Sequence, residues 1–362
     1  MTDFLSQPLL TCIGNKRKLT EPIVTIVRQI AERLGKEKLH LVDACTGSGV
    51  VARHLLPLAE VLYLNDLEYY AYTMAQGIFT PPSKEQRVVL QQHFAVMKAL
   101  VDEGPYVEGI ISQNYAPRDT INIQAGERCF YTRENALRLD TLRDYISTIP
   151  QDLQPYCLTP LLVKASIHAN TSGVFKGFHK KDGIGCFGGK GGDALGRILK
   201  PITIDCPSWS SEPVTTHCSQ LDVLDLIATL PSNIDLLYLD PPYVSAPYGS
   251  NYFMLNVLAH NVVSSNVSKV SGIPTDWNRS PFNYHASAIT TMRKVLSQGL
   301  AKARYLLISY SDEGLITPTE WEELLAPYRV EKTEIRYEAY KGCRNRVARE
   351  GSVIELLYLV RV

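Results

Sequence analysis

Several features that would mark a special class of protein are missing from this 362-residue sequence. Lys and Arg number 37 and Asp and Glu number 37, so the chain as a whole carries no basic signal for a polyanionic partner. The eight cysteines form no C-x-x-C pair and no metal-ligand spacing, which predicts reduced, partly buried thiols and no metal site. No run reaches the roughly 18 apolar residues of a membrane span, and no apolar segment follows a basic start. We therefore expect a cytoplasmic protein with no membrane partner.

The composition that is present is that of a globular protein, with 45% hydrophobic and 20% charged residues. The length exceeds one average domain, which predicts a main core with a sizeable insertion. An alternation of strand and helix patterns holds at both ends of the chain and lapses in between, where helical patterns are joined by polar connections. We expect an α/β domain made of residues 1–78 and 217–362, with a mainly helical subdomain, residues 79–216, inserted in it.

A short buried strand is predicted from Ile234 to Leu239, and it ends at Asp240 because Pro241 and Pro242 cannot continue it. The turn offers backbone carbonyls and the Asp240 carboxylate as acceptors, with the ring of Tyr243 beside them. Such a pocket suits a planar group that carries an NH2, for example the exocyclic amine of a nucleobase. For these four residues alone, an ordinary Asp-Pro-Pro turn with a surface tyrosine is an equal alternative.

A second apolar run, Leu39 to Ala44, closes on a turn that contains Gly47 and Gly49 and leads into a helix. A strand, a glycine turn and a helix are the parts of a nucleotide-binding unit. The third glycine of the dinucleotide pattern is missing, which leaves room for a cofactor without a pyrophosphate. Asp66 ends the next predicted strand, where an acidic residue can accept hydrogen bonds from ribose hydroxyls.

Two polar segments are further candidates for ligand contact. Gly14 and Asn15 precede a helix and can hold a zwitterionic ligand, the alternative being a solvated basic helix start. Residues 164–200 hold seven Lys or Arg, two Asp and nine glycines, which favours a phosphate-contacting surface over a mobile surface loop. The G-x-G-x-x-G pattern from Gly183 to Gly188 follows no strand pattern, and we reject it as a dinucleotide site.

Together these motifs resemble the D12 class of adenine-specific DNA methyltransferases, the group that includes the Dam enzymes. The similar stretches, in that group's order, are IGNKRKL at 13–19, DACTGSGVVA at 43–52, ND at 65–66, DPPY at 240–243 and RNR…VIELLYLV at 344–360. HANTSGVFKGFHK at 168–180 resembles a segment of some restriction-modification members. The sequence departs from the group at Ala44-Cys45-Thr46, where a bulky aromatic residue is usual.

The resemblance implies an α/β fold: a Rossmann-like sheet of the S-adenosylmethionine-dependent methyltransferases, with helices on both faces and a C-terminal antiparallel hairpin. The inserted subdomain would recognise the target. It also implies that one set of residues binds S-adenosylmethionine: Ile13, Gly14, Asn15, Lys16, Asp43, Gly47, Gly49, Asp66, Leu67 and Asp222. Asp222 would take the adenine amine of the cofactor. Asp240, Pro241, Pro242 and Tyr243 would receive an adenine flipped out of double-stranded DNA.

DNA phosphates are expected at six basic residues of two locally basic segments: Lys176, Lys180, Lys181, Lys190, Arg344 and Arg346. A cognate restriction endonuclease is the further partner that a restriction-modification member would have. Three other functions stay open at this point. They are N4-cytosine DNA methylation, RNA methylation, and DNA binding without catalysis.

Overall fold

The computed structural model describes residues 2–189, 191–338 and 352–362. Its contacts divide the chain into two compact units, which we call the sheet unit (residues 14–75, 212–247 and 278–362) and the helical unit (residues 1–13, 76–211 and 248–277). These bounds differ from the expected domain bounds mainly at residues 248–277. This segment packs with the helical unit because its apolar helix places Phe253 against the rings of Phe130 and Tyr115, at centroid distances of 5.9 and 5.7 Å.

One seven-stranded sheet forms the centre of the sheet unit. Its strands are β1 (Leu39–Asp43), β2 (Ala59–Asn65), β3 (Thr215–Ser219), β4 (Ile234–Leu239), β5 (Ala303–Ser311), β6 (Arg329–Glu338) and β7 (Ser352–Arg361). The spatial order is β3-β2-β1-β4-β5-β7-β6. The first five strands in this order pair in parallel, whereas β7 is antiparallel to both β5 and β6. The strand order reverses between β1 and β4, and open α/β sheets bind ligands at the carboxyl ends of the strands beside such a point.

Helices cover both faces of this sheet. They are Thr20–Leu34, Val50–Leu55 with the 3-10 turn Leu56–Leu58, Tyr69–Phe79, Val223–Thr229, the 3-10 turn Pro281–Asn283, His285–Leu300 and Pro318–Leu325. Leu237 of β4 and Leu306 of β5 share one buried cluster with the three helices that follow β3, β4 and β5. The neighbouring residues Leu236 and Leu307 point to the other face, as alternation along a strand requires, and are equally buried. The predicted fold class is therefore confirmed.

Local sequence explains where these elements begin and end. β4 is buried along its whole length and stops before Asp240, since Pro241 and Pro242 follow. Gly49 has a φ of 78°, a left-handed conformation that suits glycine at the turn into the helix Val50–Leu55. Thr317 and Glu320 form a reciprocal capping box at the start of the helix Pro318–Leu325.

The helical unit confirms the mainly helical pattern of the insertion. Its helices are Thr2–Ser6, Lys84–Glu103, Ile110–Asn114, Arg133–Thr148, Gln154–Ile167, Leu195–Leu199, Tyr248–Asn251 and Phe253–His260. The helix Gln154–Ile167 contains Pro160 and begins six residues before it. Pro155 in its first turn is the true start signal, because the missing N–H of a proline is harmless there. Within the described ranges, no helix combines the length and apolar character that a membrane crossing requires.

Candidate active site

The glycine turn after β1 is held by the carboxylate of Asp66 at the end of β2. Gly47 N–H donates to Asp66 Oδ2 at 2.7 Å, and Glu68 N–H donates to Oδ1 at 2.9 Å. Burial raises the pKa of Asp66, and these two backbone hydrogen bonds work against that rise. Leu67 N–H is a third backbone donor, and since an ionised carboxylate has about four acceptor positions, one stays available for a ligand hydroxyl. Asp66 thus fixes the turn and still has acceptor capacity.

Asn65, to which the sequence analysis gave no role beyond its place in the ND stretch, joins three strand ends. Its side-chain NH2 donates to the carbonyls of Ala44 and Leu221 at 3.2 and 3.0 Å, and its side-chain oxygen accepts from Ser219 Oγ and Leu221 N–H at 2.8 and 3.0 Å. The buried amide therefore ties the glycine turn to the end of β3 and to the segment before Asp222. The position of Asn65 in the sequence does indicate such a role, because a side-chain amide at the end of a buried strand needs partners for both its donor and its acceptor.

Asp43, the last residue of β1, is a buried carboxyl group with spare capacity. Its side chain is 1% exposed, and Oδ1 has no hydrogen-bond partner among the residues that the structure describes. Burial raises the pKa of Asp43 to about 8, and the negative charges of Asp240 and Asp66 add to the rise. A buried acceptor without a donor suits a ligand that brings a positive group or an N–H.

Asp240, at the end of β4, is bound by a buried lysine from the N-terminal motif. Lys16 is 2% exposed, and its Nζ lies 2.8 Å from Asp240 Oδ1, 3.3 Å from Glu355 Oε1 and 3.0 Å from the carbonyl oxygen of Gly14. Burial works against the charge of Lys16, but Asp240, Tyr243 and Glu355 keep its pKa well above the ordinary value. One ammonium group therefore serves two carboxylates.

Glu355, on β7, is the second functional candidate that sequence reading missed. It is 0% exposed, accepts a hydrogen bond from Ser309 Oγ at 2.5 Å and a longer one from the Tyr337 hydroxyl at 3.3 Å. Burial raises the pKa of Asp240 to about 6; Lys16 opposes this rise and the charge of Glu355 adds to it. The signal in the sequence was a single acid inside the apolar run VIELLYLV, because a buried charge needs a partner.

Tyr243 presents a half-buried ring beside this cluster. Lys16 Nζ lies 5.2 Å from the centroid of the ring, and the ring of Tyr310 meets its edge at a centroid distance of 5.7 Å and an interplanar angle of 65°. Tyr310 is itself packed against Trp321. These neighbours hold the ring of Tyr243 in place, as a stacking platform requires.

Other predicted cofactor residues have identifiable partners. Ile13 lies in the helical unit, where its N–H donates to the Tyr252 hydroxyl and its carbonyl accepts from Tyr248. The carbonyl of Leu67 accepts from the amides of Asn278 and Gln220. Asn15 Oδ1 accepts from Arg17 N–H at 3.4 Å. Asp222 Oδ1 caps the helix Val223–Thr229 by accepting from Leu224 N–H at 3.0 Å. Asp222 Oδ2 makes no such bond to a described residue.

Three of the predicted DNA-contacting lysines are described, and all three are exposed: Lys176, Lys180 and Lys181. Lys180–Lys181 pairs with Ile184–Gly185 as a two-residue antiparallel hairpin, with Gly183 at a φ of 83° in its turn. This short strand precedes Gly183, where the sequence had indicated none. Lys190, Arg344 and Arg346 lie outside the described residues.

The strand order, the glycine turn after β1 and the aspartate after β4 define a Rossmann-like methyltransferase fold. The family model described as D12 class N6 adenine-specific DNA methyltransferase matches residues 13–271, and the chain belongs to this family. Membership confirms the predicted enzyme class, adenine-specific DNA methyltransferase. It also implies S-adenosylmethionine as the methyl donor and DNA as the substrate.

Three curated relatives are type II methyltransferases. M.CviAII of Paramecium bursaria Chlorella virus 1 is 26% identical over 348 residues, with 95% of each chain covered. M.NlaIII of Neisseria lactamica is 25% identical over 362 residues, covering 96% of this chain and 98% of that protein. M.FokI of Planomicrobium okeanokoites is 24% identical, covering 93% of this chain and 50% of that protein. Among solved structures, a candidate RNA methyltransferase, PH1948 of Pyrococcus horikoshii, aligns with 99% of this chain and 95% of its own at 8% identity and a TM-score of 0.30, from which we infer nothing.

Proposed function

We propose that the sheet unit binds S-adenosylmethionine at the carboxyl ends of β1, β2 and β3 and transfers its methyl group to N6 of an adenine extruded from duplex DNA. We further propose that the enzyme is the methyltransferase of a restriction-modification pair, as the names of its relatives suggest. A cognate endonuclease would then be its partner.

The residues around the glycine turn fit the polar groups of S-adenosylmethionine. The unpartnered Asp43 Oδ1 suits a donor from the methionine end, directly or through one water. Asp66 keeps acceptor capacity for the ribose hydroxyls, and Asp222 Oδ2 suits the adenine amine. When bound, the cofactor supplies an electrophilic methyl on a sulfonium. The role of the chain is to hold that group in line with the incoming nitrogen.

One observation carries the assignment of the target pocket: Lys16 contacts Asp240 Oδ1, and Oδ2 makes no hydrogen bond to a described residue. With a pKa of about 6, Asp240 is ionised at neutral pH and is a strong acceptor for an N6 proton. The Pro241 carbonyl would take the other proton, and Tyr243 would stack on the base. Both acceptors draw the nitrogen toward a tetrahedral geometry and direct its lone pair at the methyl group.

In this proposal Lys16 serves the target amine rather than the methionine end of the cofactor. Its ammonium is already committed to Gly14, Asp240 and Glu355. It would hold the Asp240 carboxylate in one orientation and keep it charged. The carboxylate of Glu355 attracts the same ammonium group and so restricts its position.

The test replaces Asp240 by Ala and measures methyl transfer to genomic DNA, followed by nucleoside analysis. We expect N6-methyladenine from the wild-type enzyme and a loss of at least about 10²–10³-fold in the Asp240→Ala variant. S-adenosylmethionine affinity, measured by calorimetry, should remain. Asp225→Ala is the matched control, because Asp225 is an exposed acid of the same unit. N4-methylcytosine as the product, or near-normal turnover by Asp240→Ala, would overturn the proposal.

A further inference from the structure

The connection between the helices Ile110–Asn114 and Arg133–Thr148 contains a loop, residues 118–127, that its own side chains hold in shape. Both oxygens of Glu127 accept backbone hydrogen bonds, from Arg118 N–H at 2.9 Å and from Gln124 N–H at 2.7 Å. Thr120 Oγ accepts from Arg133 N–H at 2.9 Å and donates to Glu134 at 2.8 Å. The loop is closed on itself and tied to the start of a long helix, so it is organised before any ligand arrives.

This organised loop presents a bare isoleucine. Ile121 is 95% exposed, more than any other large apolar side chain among the described residues. Its backbone N–H is fixed by Asp119 Oδ1 at 2.8 Å, which holds the residue at the tip. The side chain contributes nothing to the core of the loop, yet the surrounding hydrogen bonds keep it in water. A rigid apolar tip of this kind is what proteins insert between base pairs of a duplex.

Beside the loop, the helical unit has an open cleft of about 750 Å³ whose lining is polar. The lining includes Gln113, Arg118, Arg128 and Arg133. The side chains of Gln113 and Arg118 make no hydrogen bond or ion pair to any described residue. Free amide and guanidinium groups are the ones that read base edges in the major groove, glutamine at adenine and arginine at guanine.

The charges of the cleft favour an anionic occupant. Its lining holds three arginines and two glutamates, a net charge of +1, and Glu108 forms an ion pair with Arg133. Arg118 and Arg128 have no carboxylate partner in the described structure. Arg128 is instead held by main-chain carbonyls, with its guanidinium 3.0 Å from the Asn114 oxygen and 5.7 Å from the centroid of the Tyr115 ring. A small net positive charge next to free donors suits the phosphates and base edges of a duplex.

We propose that this cleft binds duplex DNA, that Arg118 and Gln113 contact base edges there, and that Ile121 inserts into the base stack of the bound duplex. The proposal rests on the proposed function, since it assumes that a duplex is the substrate. It assigns to Ile121 the role of an apolar wedge that opens the base stack, and an opened stack lowers the cost of extruding a base.

The test begins with the sites that wild-type protein methylates in genomic DNA, found by modification-sensitive sequencing. Synthetic duplexes of one such site are then compared with wild type, Ile121→Ala and the control Val262→Ala, whose side chain is an apolar one, 63% exposed, in the same unit. We expect Ile121→Ala to lose roughly ten- to a hundredfold in single-turnover rate on the normal duplex, and Val262→Ala to lose nothing. On a duplex with an abasic position opposite the target adenine, Ile121→Ala should recover most of that loss, because the adenine is already unpaired and costs less to extrude.

A second arm measures binding without catalysis. Arg118→Gln should lower affinity for duplex DNA and flatten the dependence of log K on log salt by about one contact, near 0.9. Equal rates for wild type and Ile121→Ala on the normal duplex, or an unchanged salt slope for Arg118→Gln, would overturn this inference while leaving adenine methylation intact. If the wild-type protein instead binds duplex but methylates no adenine, the proposed function fails and the binding arm still decides the role of the cleft. Unchanged DNA binding together with lost capture of a co-expressed endonuclease would reassign the surface to a protein partner.

Discussion

Two buried aspartates, one in each unit, show how differently the two units use polar groups. Asp140 in the helical unit is almost fully buried, and its carboxylate accepts three backbone hydrogen bonds, from Gly109, Ile111 and Ser112 at 2.8–2.9 Å. Asp43 in the sheet unit is buried to the same degree, but one of its oxygens has no partner among the described residues. Burial raises the pKa of both groups. Backbone hydrogen bonds oppose the rise in pKa at both aspartates, but at Asp43 the negative charges of Asp240 and Asp66 add to it.

The difference distinguishes polar groups that stabilise the fold from polar groups that are available to a ligand. Asn170 in the helical unit likewise donates to the carbonyls of Cys129 and Cys186 and accepts from Gly188 N–H, which shapes the glycine-rich segment. A polar group whose bonds are all made within the chain stabilises the fold. A buried polar atom without a partner, such as Asp43 Oδ1, destabilises the fold without ligand and favours the state with ligand bound.

The largest effect is expected when Asp140 is replaced, because its carboxylate is fully used by hydrogen bonds within the helical unit. Asp140→Ala leaves the N–H groups of Ile111 and Ser112 without acceptors, and we expect a loss of about 3 kcal/mol in the free energy of unfolding. Urea denaturation followed by circular dichroism measures it. Asp144→Ala, an exposed acid on the same helix, should stay within about 0.5 kcal/mol of wild type. Equal stability of the two variants would show that the three bonds contribute nothing net.

The corresponding change in the sheet unit is Asp43→Asn. In the absence of cofactor at pH 8, we expect this variant to be no less stable than wild type. The folded Asp43 keeps its proton up to about pH 8, whereas the unfolded chain releases it near 3.8. Between these values the folded state binds more protons, so stability falls as pH rises, by up to about 1.4 kcal/mol per unit from this group. Asn cannot titrate, and its pH–stability profile should be flatter in this window. Superimposable profiles for wild type and variant would contradict the raised pKa.

The cluster of Lys16, Asp240 and Glu355 allows a test on activity in which two variants should have opposite effects. Lys16→Met removes the cation that lowers the pKa of Asp240, so the acidic limb of the kcat/KM profile should move above its wild-type position near pH 6, with about a tenfold loss at pH 7. Glu355→Gln removes a charge that raises the same pKa, so its limb should move to lower pH. Shifts in the same direction for both variants would rule out an electrostatic role for the cluster.

The smallest effect is expected at the basic hairpin of the helical unit. Lys180 and Lys181 are exposed, and Lys180 lies 5.0 Å from the centroid of the Phe178 ring. Replacing both by Gln should weaken DNA binding alike on specific and unrelated duplexes. The salt slope should fall by up to about two contacts, near 0.9 each, with S-adenosylmethionine affinity unchanged. A normal slope would mean that these lysines are only solvated.

Much of the sheet unit could be predicted because its signals are local. The strand Ile234–Leu239 has the bounds that its apolar run and the two prolines indicate, and the glycines at 47 and 49 mark the turn after β1. The positions of Asp43, Asp66 and Asp240 at the carboxyl ends of their strands follow from the same patterns. The methyl-transfer chemistry was predicted from the family resemblance. The composition did not suggest a DNA substrate, because the net charge is zero.

What the sequence could not supply depends on contacts between distant segments. Glu355 meets Lys16 only because β7 pairs beside β5, and nothing near either residue encodes that register. Residues 248–277 pack with the helical unit because of their apolar faces, which a sequence pattern cannot assign to one core or another. Ile121 stood out only once its exposure was known, since an isolated isoleucine in a polar loop is unremarkable.

The position of β7 bears on how the protein is made. β7 lies between β5 and β6 in the sheet although it follows both in the chain. A ribosome therefore releases the segments with the glycine turn, Asp66 and Asp240 before it synthesises the strand that carries Glu355. Until β7 inserts, the edge of β5 is open and Lys16 has only one of its two carboxylates. We expect a nascent chain to be unable to modify DNA, so that modification begins only when the whole sheet has been translated.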